Sequence, residues 1–144
     1  MDESNERIVV DAGPLVALCN KSDQFHAWAQ HELERRRPPL FTCEAVLSEA
    51  QWLVWKRGGG NPVDLLEMVR RGMLSVTFGL EDEVDRLIEL QRTYYRVPMS
   101  LADACVVRMT EIHEHSRVMT IDSDFRIYRR NRRQVIPLLT PPSI

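Results

Sequence analysis

Ile8-Val9-Val10-Asp11-Ala12-Gly13-Pro14-Leu15 sets a carboxylate where a β-branched run gives way to an apolar stretch. The three β-branched residues read as a buried strand, and the run Leu15-Val16-Ala17-Leu18 reads as the helix that follows it. The same grammar returns late in the chain. Arg117-Val118-Met119-Thr120-Ile121 is a second apolar strand, and Asp122 closes it directly. Two acids at the ends of two buried strands are the feature from which the fold is read.

Between these strands the apolar spacing switches repeatedly between the helical and the extended period. Phe25, Trp28, Ala29 and Leu33 predict a helix over residues 22–37, stopped by Pro38-Pro39. Leu40-Phe41-Thr42 predicts a short strand, and a helix over 44–56 ends at Gly58-Gly59-Gly60. Leu65, Leu66, Met68 and Val69 mark a further helix, followed by a strand over 74–78. Helices are predicted over 81–95 and, after Pro98, over 100–115; a short one over 124–130 precedes a last strand at 135–136. Strands alternating with helices imply an α/β fold, a parallel sheet with helices on both faces.

The chain has 144 residues, enough for one domain over 1–144, with 1–6 read as a flexible lead and 140–144 as a loose tail. Its hydrophobic fraction of 44% and charged fraction of 28% describe an ordinary globular domain, not a disordered one. A net charge of -2 excludes a strongly cationic nucleic-acid binder, so any contact with RNA must come from a local patch. The three cysteines, Cys19, Cys43 and Cys105, are far apart with no C-x-x-C pair, which predicts buried reduced thiols in a cytoplasmic protein. No apolar run reaches membrane-spanning length.

Four acids break the rule that charge faces water. Asp11 and Asp122 sit at the carboxyl ends of predicted strands, the edge where open α/β sheets bind ligands. Glu49 shares a helical face with Ala45, Val46, Trp52 and Leu53, and Asp103 shares one with Met99, Val106 and Val107. Burying a lone carboxylate costs several kcal/mol, so something must compensate. Lysines are confined to Lys21 and Lys56, and no arginine is spaced to pair with Glu49 or Asp103 within its own helix. A divalent cation held among the acids resolves the conflict. Capping is the competing account for three of the four: Asp11 and Asp122 as helix N-caps, and Ser100-Leu-Ala-Asp103 as a capping box. Glu49 stands mid-helix and has no such role. Asp124 is either a fifth acid near the metal or the N-cap of the helix bearing Phe125 and Tyr128.

On these residues the sequence resembles the PIN-domain family, in particular the VapC-type toxin ribonucleases. The matching pieces are Ile8-Val-Val-Asp11-Ala-Gly-Pro-Leu, Val46-Leu-Ser-Glu49-Ala, Leu101-Ala-Asp103-Ala and Thr120-Ile-Asp122-Ser-Asp124-Phe125. His26-Ala-Trp28 and Pro98-Met-Ser-Leu-Ala-Asp103 are similar to one branch of these toxins, which often carries another Asp where this chain has Ser100. The resemblance implies a three-layer α/β/α sandwich around a central parallel sheet. It also implies an acidic pocket for Mg²⁺ or Mn²⁺, cleavage of RNA, a homodimer, and inhibition by a small antitoxin protein. Carried over by position, the catalytic acids are Asp11, Glu49, Asp103 and Asp122, and the metal ligands are the same four with Asp124 optional.

Other features point less sharply. Arg126, Arg129 and Arg130, with Arg132 and Arg133, follow Asp122 closely; they are candidates to grip an RNA backbone, or equally a solvated face. The four histidines, His26, His31, His113 and His115, lack metal-site spacing, and Gly58-Gly59-Gly60 lacks the Lys of a phosphate loop. Trp28, Trp52 and Trp55 fall on amphipathic helices as core or interface residues. A receiver or phosphoryl-transfer domain would need a second acid beside Asp11 and a late lysine, and neither is present. The remaining alternative is a non-catalytic PIN-fold domain that binds RNA or protein.

Overall fold

The β-branched run near the head of the chain lies at the centre of the sheet, not at its edge. The structure, a computed structural model, describes residues 5–144. In chain order the elements are β1 (Arg7–Val10), α1 (Ala12–Cys19), α2 (His26–Arg35), β2 (Leu40–Thr42), α3 (Glu44–Arg57) and α4 (Val63–Arg70). There follow β3 (Leu74–Val76), α5 (Val84–Thr93), α6 (Leu101–Ile112), β4 (Ser116–Met119), β5 (Arg129–Arg130), β6 (Gln134–Val135) and β7 (Leu138–Leu139). Single 3-10 turns at Glu81–Glu83 and Ser123–Arg126 precede α5 and β5.

Five strands pair in parallel in the order β3-β2-β1-β4-β7, flanked by helices as an α/β/α sandwich. From β1 the chain builds outward through β2 and β3, then crosses back to lay down β4 and β7 on the other side. The reversal therefore falls between β1 and β4. At such a switch point the connections leave in opposite directions and open a crevice beyond the strand ends. Val9, Val10, Val118 and Met119 are fully buried there, and helix α6 lies against both strands. Among the described residues no helix is long and apolar enough to cross a membrane.

Element boundaries differ from the sequence expectation where local side chains intervene. The helix expected from residue 22 starts at His26, because Asn20 and Asp23 take the amides of Ser22 and Phe25 at 3.0 and 2.8 Å and hold the preceding residues in turns. The helix expected over 81–95 is split into a 3-10 turn and α5. The helix expected over 124–130 is only a 3-10 turn. The Arg129 guanidinium donates to the carbonyls of Arg126, Ile127 and Tyr128 and ends it. The last sheet strand is not 135–136. Gln134–Val135 folds back on β5 through Asn131 (φ 50°) and Arg132 (φ 69°), and β7 completes the sheet three residues later.

The expected loose ends are tied down where they are described. Glu6 accepts the Arg117 guanidinium at 3.0 Å, Pro141 is buried, and the Ile144 carbonyl accepts Arg126 at 2.9 Å. Of the lead expected over 1–6, residues 1–4 lie outside the described residues. All three cysteines are free thiols, Cys43 and Cys105 buried and Cys19 half-buried.

Candidate active site

Register brings the strand-end acids together. Val10 pairs with Met119, so Asp11 and Thr120 are the next neighbours across the β1–β4 boundary. The Asp11 amide continues the ladder onto the Met119 carbonyl at 3.0 Å, and the Thr120 hydroxyl donates to Asp11 Oδ2 at 2.9 Å. Thr120 Oγ1 also accepts the Asp122 amide at 3.0 Å, so one hydroxyl holds both strand ends. The absence of a side chain at Gly13 permits this approach: a Cβ there would lie 2.5 Å from Ile121 Cγ1.

The capping accounts separate cleanly. Asp11 occupies the N-cap position of α1, yet its side chain makes no capping hydrogen bond. Asp122 does cap: its Oδ1 accepts the Asp124 amide at 2.9 Å and starts the 3-10 turn. Asp124 is therefore not the cap; it sits in the first turn beyond it, half-buried. Asp103 forms the capping box with Ser100, accepting the Ser100 amide at 3.4 Å while Ser100 Oγ accepts the Asp103 amide at 3.0 Å.

The helices bring in the other acids. Asp103 stands half-buried in the first turn of α6, and α6 packs against α3, which carries Glu49. Glu49 departs from the expected apolar burial. The core stripe of α3 is Val46, Leu47, Ala50 and Val54, and Glu49 borders it as an exposed residue beside the 53%-exposed Trp52.

The five carboxylates act on one another. Burial, the largest cause, pushes Asp11 up from 3.8 to about 7; the Ala12 amide and the Thr120 hydroxyl oppose it, and the charges of Asp103 and Glu49 add to it. Glu49, although exposed as a residue, has its carboxyl raised by partial desolvation, helped by Asp103 and Asp122. Asp103 is raised by burial and by Asp122, against its Tyr128 and Ser100 hydrogen bonds. Asp124 is raised by burial and by Asp122. Among the described residues no Lys, Arg or His makes an ion pair with any of the five. Nor do any three His, Cys, Asp or Glu side chains among them form a preformed metal cage. What links the acids is their charge: Asp11 feels Asp103 and Glu49, and Asp122 acts on Glu49, Asp103 and Asp124.

The arginines after Asp122 are largely committed. Arg129 holds the three carbonyls of its own turn, and Arg130 Nη1 donates to the carbonyls of Thr110 and Glu114 at 3.2 and 2.8 Å. Arg126 is exposed and reaches the Ile144 carbonyl. Two hydroxyls at the site escaped the sequence reading as functional groups: Thr120 on Asp11, and Tyr128, which donates to Asp103 Oδ2 at 2.9 Å.

A family model described as the PIN domain matches residues 8–131. The chain belongs to the PIN-domain family. Its acids Asp11, Glu49, Asp103, Asp122 and Asp124 all fall within the matched span. Among solved structures, this PIN domain is similar to VapC20 of Mycobacterium tuberculosis, a toxin that cleaves the sarcin–ricin loop. The TM-score is 0.73 and identity 22%, with 90% of this chain and 99% of that one covered. It is also similar to a toxin–antitoxin complex from Klebsiella pneumoniae, with TM-score 0.56, identity 17%, and 81% and 87% of the two chains covered. At these identities the likeness bears on the fold alone, and that fold is the one the family match implies. Among curated proteins no sequence matches this PIN domain.

Proposed function

We propose that this PIN domain is a Mg²⁺- or Mn²⁺-dependent endoribonuclease, the toxin of a toxin–antitoxin pair. The observation that carries the reading is the strand-end pair Asp11 and Asp122 at the β1–β4 switch point, coupled through charge to Glu49, Asp103 and Asp124, with no cationic partner for any of them among the described residues. Folding pushes Asp11 to about 7, and among the described residues nothing of opposite charge pairs with it. The donor set is oxygen only and does not close a cage. That suits Mg²⁺ or Mn²⁺, hard ions that keep several waters and take few protein ligands directly.

Asp11, Asp103 and Asp122 would hold the ion directly or through water, with Asp124 beside Asp122. Thr120 and Tyr128 donate to Oδ2 of Asp11 and Asp103, so Oδ1 of each is the oxygen that would meet an ion. A divalent ion there supplies charge neutralisation at the scissile phosphodiester and a more acidic water. Glu49, exposed and with its carboxyl raised, is placed to accept a proton from the attacking water. Arg126 is the freest of the three candidate arginines to meet the RNA backbone.

The partner reading draws on exposed apolar surface. Trp52, Trp55, Val63 and Leu66 of α3 and α4 are 47% to 71% exposed, an area suited to an antitoxin or to the second copy of a homodimer. The reading is tested with the purified chain, RNA and graded Mg²⁺ or Mn²⁺. Cleavage should require the ion and stop with chelator. Asp11→Asn or Asp103→Asn should lower it about a thousandfold, the several kcal/mol a metal-positioning carboxylate supplies. Full cleavage in chelator, or by either variant, overturns the reading. Sequencing of RNA ends after induced expression then names the target.

A further inference from the structure

Asp103 is held in the site by two hydrogen bonds of unequal strength. It is half-buried, the torsion that turns its carboxylate is soft, and Asp122 repels it. Its bond from the Ser100 amide is long, at 3.4 Å, and restrains it weakly. The Tyr128 hydroxyl donates to the same Oδ2 at 2.9 Å and is the stronger tether, a hydrogen bond to a charged acceptor.

Tyr128 itself has nowhere to go. The residue is fully buried, its ring meeting Tyr94 edge-on at 5.2 Å and Phe125 at 5.3 Å. Its amide donates to the Asp124 carbonyl at 3.2 Å and its carbonyl accepts Arg129 at 3.0 Å. The Arg129 amide in turn donates to the Tyr94 hydroxyl at 2.9 Å. The turn that delivers Tyr128 is the one that Asp122 caps. Two acids of the site, on different elements, are thus joined through one rigid aromatic group.

Building on the metal-dependent reading above, we propose that Tyr128 is a positioning residue that fixes which oxygen of Asp103 faces the divalent ion. It occupies Oδ2, keeps Oδ1 toward the hollow, and lets the carboxylate stand near Asp122 without swinging into solvent. A buried tyrosine needs some acceptor in any case. A purely structural role would therefore leave ion binding alone.

The experiment is calorimetric titration with Mn²⁺ alone, without RNA, on the full chain. Tyr128→Phe keeps the ring contacts and removes only the donor. It should bind Mn²⁺ about 10–100-fold more weakly, the usual effect of losing a partner that orients a ligand. Thermal unfolding in chelator confirms that Tyr128→Phe is folded. In an Asp103→Asn background the same substitution should cost nothing further, because its route to the ion is gone. Affinity within twofold of the native chain, or an equal loss in both backgrounds, overturns the proposal. A native chain that binds Mn²⁺ and cleaves RNA while Tyr128→Phe matches it defeats this inference alone. A native chain that binds no Mn²⁺ defeats the nuclease reading and this inference together.

Discussion

Helix α6 carries an acid near each end, and the two have opposite fates. Asp103 in the first turn faces other carboxylates and is raised; Glu111 in the last turn faces arginines and is lowered. Burial opposes the charge of both, and the Glu111 side chain is only 2% exposed. Arg86 grips Glu111 through Nε and Nη2 at 2.9 and 2.6 Å, Arg108 adds a third bond at 3.1 Å, and the Asn131 amide a fourth at 2.6 Å. Those donors outweigh desolvation and tie α5, α6 and the β5–β6 hairpin into one unit. The fold can neutralise a buried acid, does so at one end of α6, and among the described residues gives the acid at the other end no Lys, Arg or His partner. That contrast, within one helix, separates an acid the fold pairs from one it leaves among other acids.

The contrast breaks if the two ends prove interchangeable. Glu111→Ala leaves Arg86 to Glu89 and Arg108 to Glu83 but removes four hydrogen bonds from a side chain only 2% exposed, and should cost about 3–5 kcal/mol in urea unfolding at roughly 1 kcal/mol a bond. Its affinity for Mn²⁺ should stay native. A stable Glu111→Ala, or one that loses Mn²⁺, would merge regions that the structure keeps apart.

Asp11→Asn should act in the other direction. Asp11 holds its proton up to about pH 7 when folded and only to about 3.8 otherwise, so between those values the folded state binds more protons. Native stability in chelator therefore falls as pH rises from 4 to 7. At pH 8 Asp11→Asn should be more stable than the native chain by about 2–4 kcal/mol, and near pH 4 the advantage should vanish. Mn²⁺ at a hundred times its Kd should return about 2.7 kcal/mol to the native chain and little to Asp11→Asn. Equal pH profiles for the two proteins would show that Asp11 carries no such strain.

How much of this the sequence disclosed depends on how far apart the partners lie. Strand identity at residues 8–10, 40–42 and 117–119 was legible, because β-branched or apolar runs next to turn residues are local signals. Asp11 and Asp122 were legible as strand-end acids because each follows such a run. The hydroxyls were not: Thr120 meets Asp11 across 109 residues, and Tyr128 meets Asp103 across 25. Nothing in the spacing of Thr or Tyr announces such a contact. The Glu111 hub was hidden for the same reason, its Arg86 and Asn131 partners lying 25 and 20 residues away. Glu49 misled the periodic reading because it sits on the boundary of the core stripe, where a shift of one residue decides exposure. The short 3-10 turn and β7 carry too few residues for a period to show.

The smallest effect sharpens the comparison by marking where arginine neutralisation stops mattering. Arg132 reaches Glu89 at 2.8 Å, a bond as short as those on Glu111. Its side chain, however, is 73% exposed, so water and salt screen the attraction, and ordering a long side chain offsets what is left. Its backbone sits at φ 69°, a conformation set by the hairpin rather than by the ion pair. Arg132→Ala should therefore leave the urea midpoint unchanged within error, at low salt and high salt alike. An appreciable loss confined to low salt would show that the Glu111 network extends outward through Glu89 and Arg86 to the hairpin, and that its cohesion does not depend on burial.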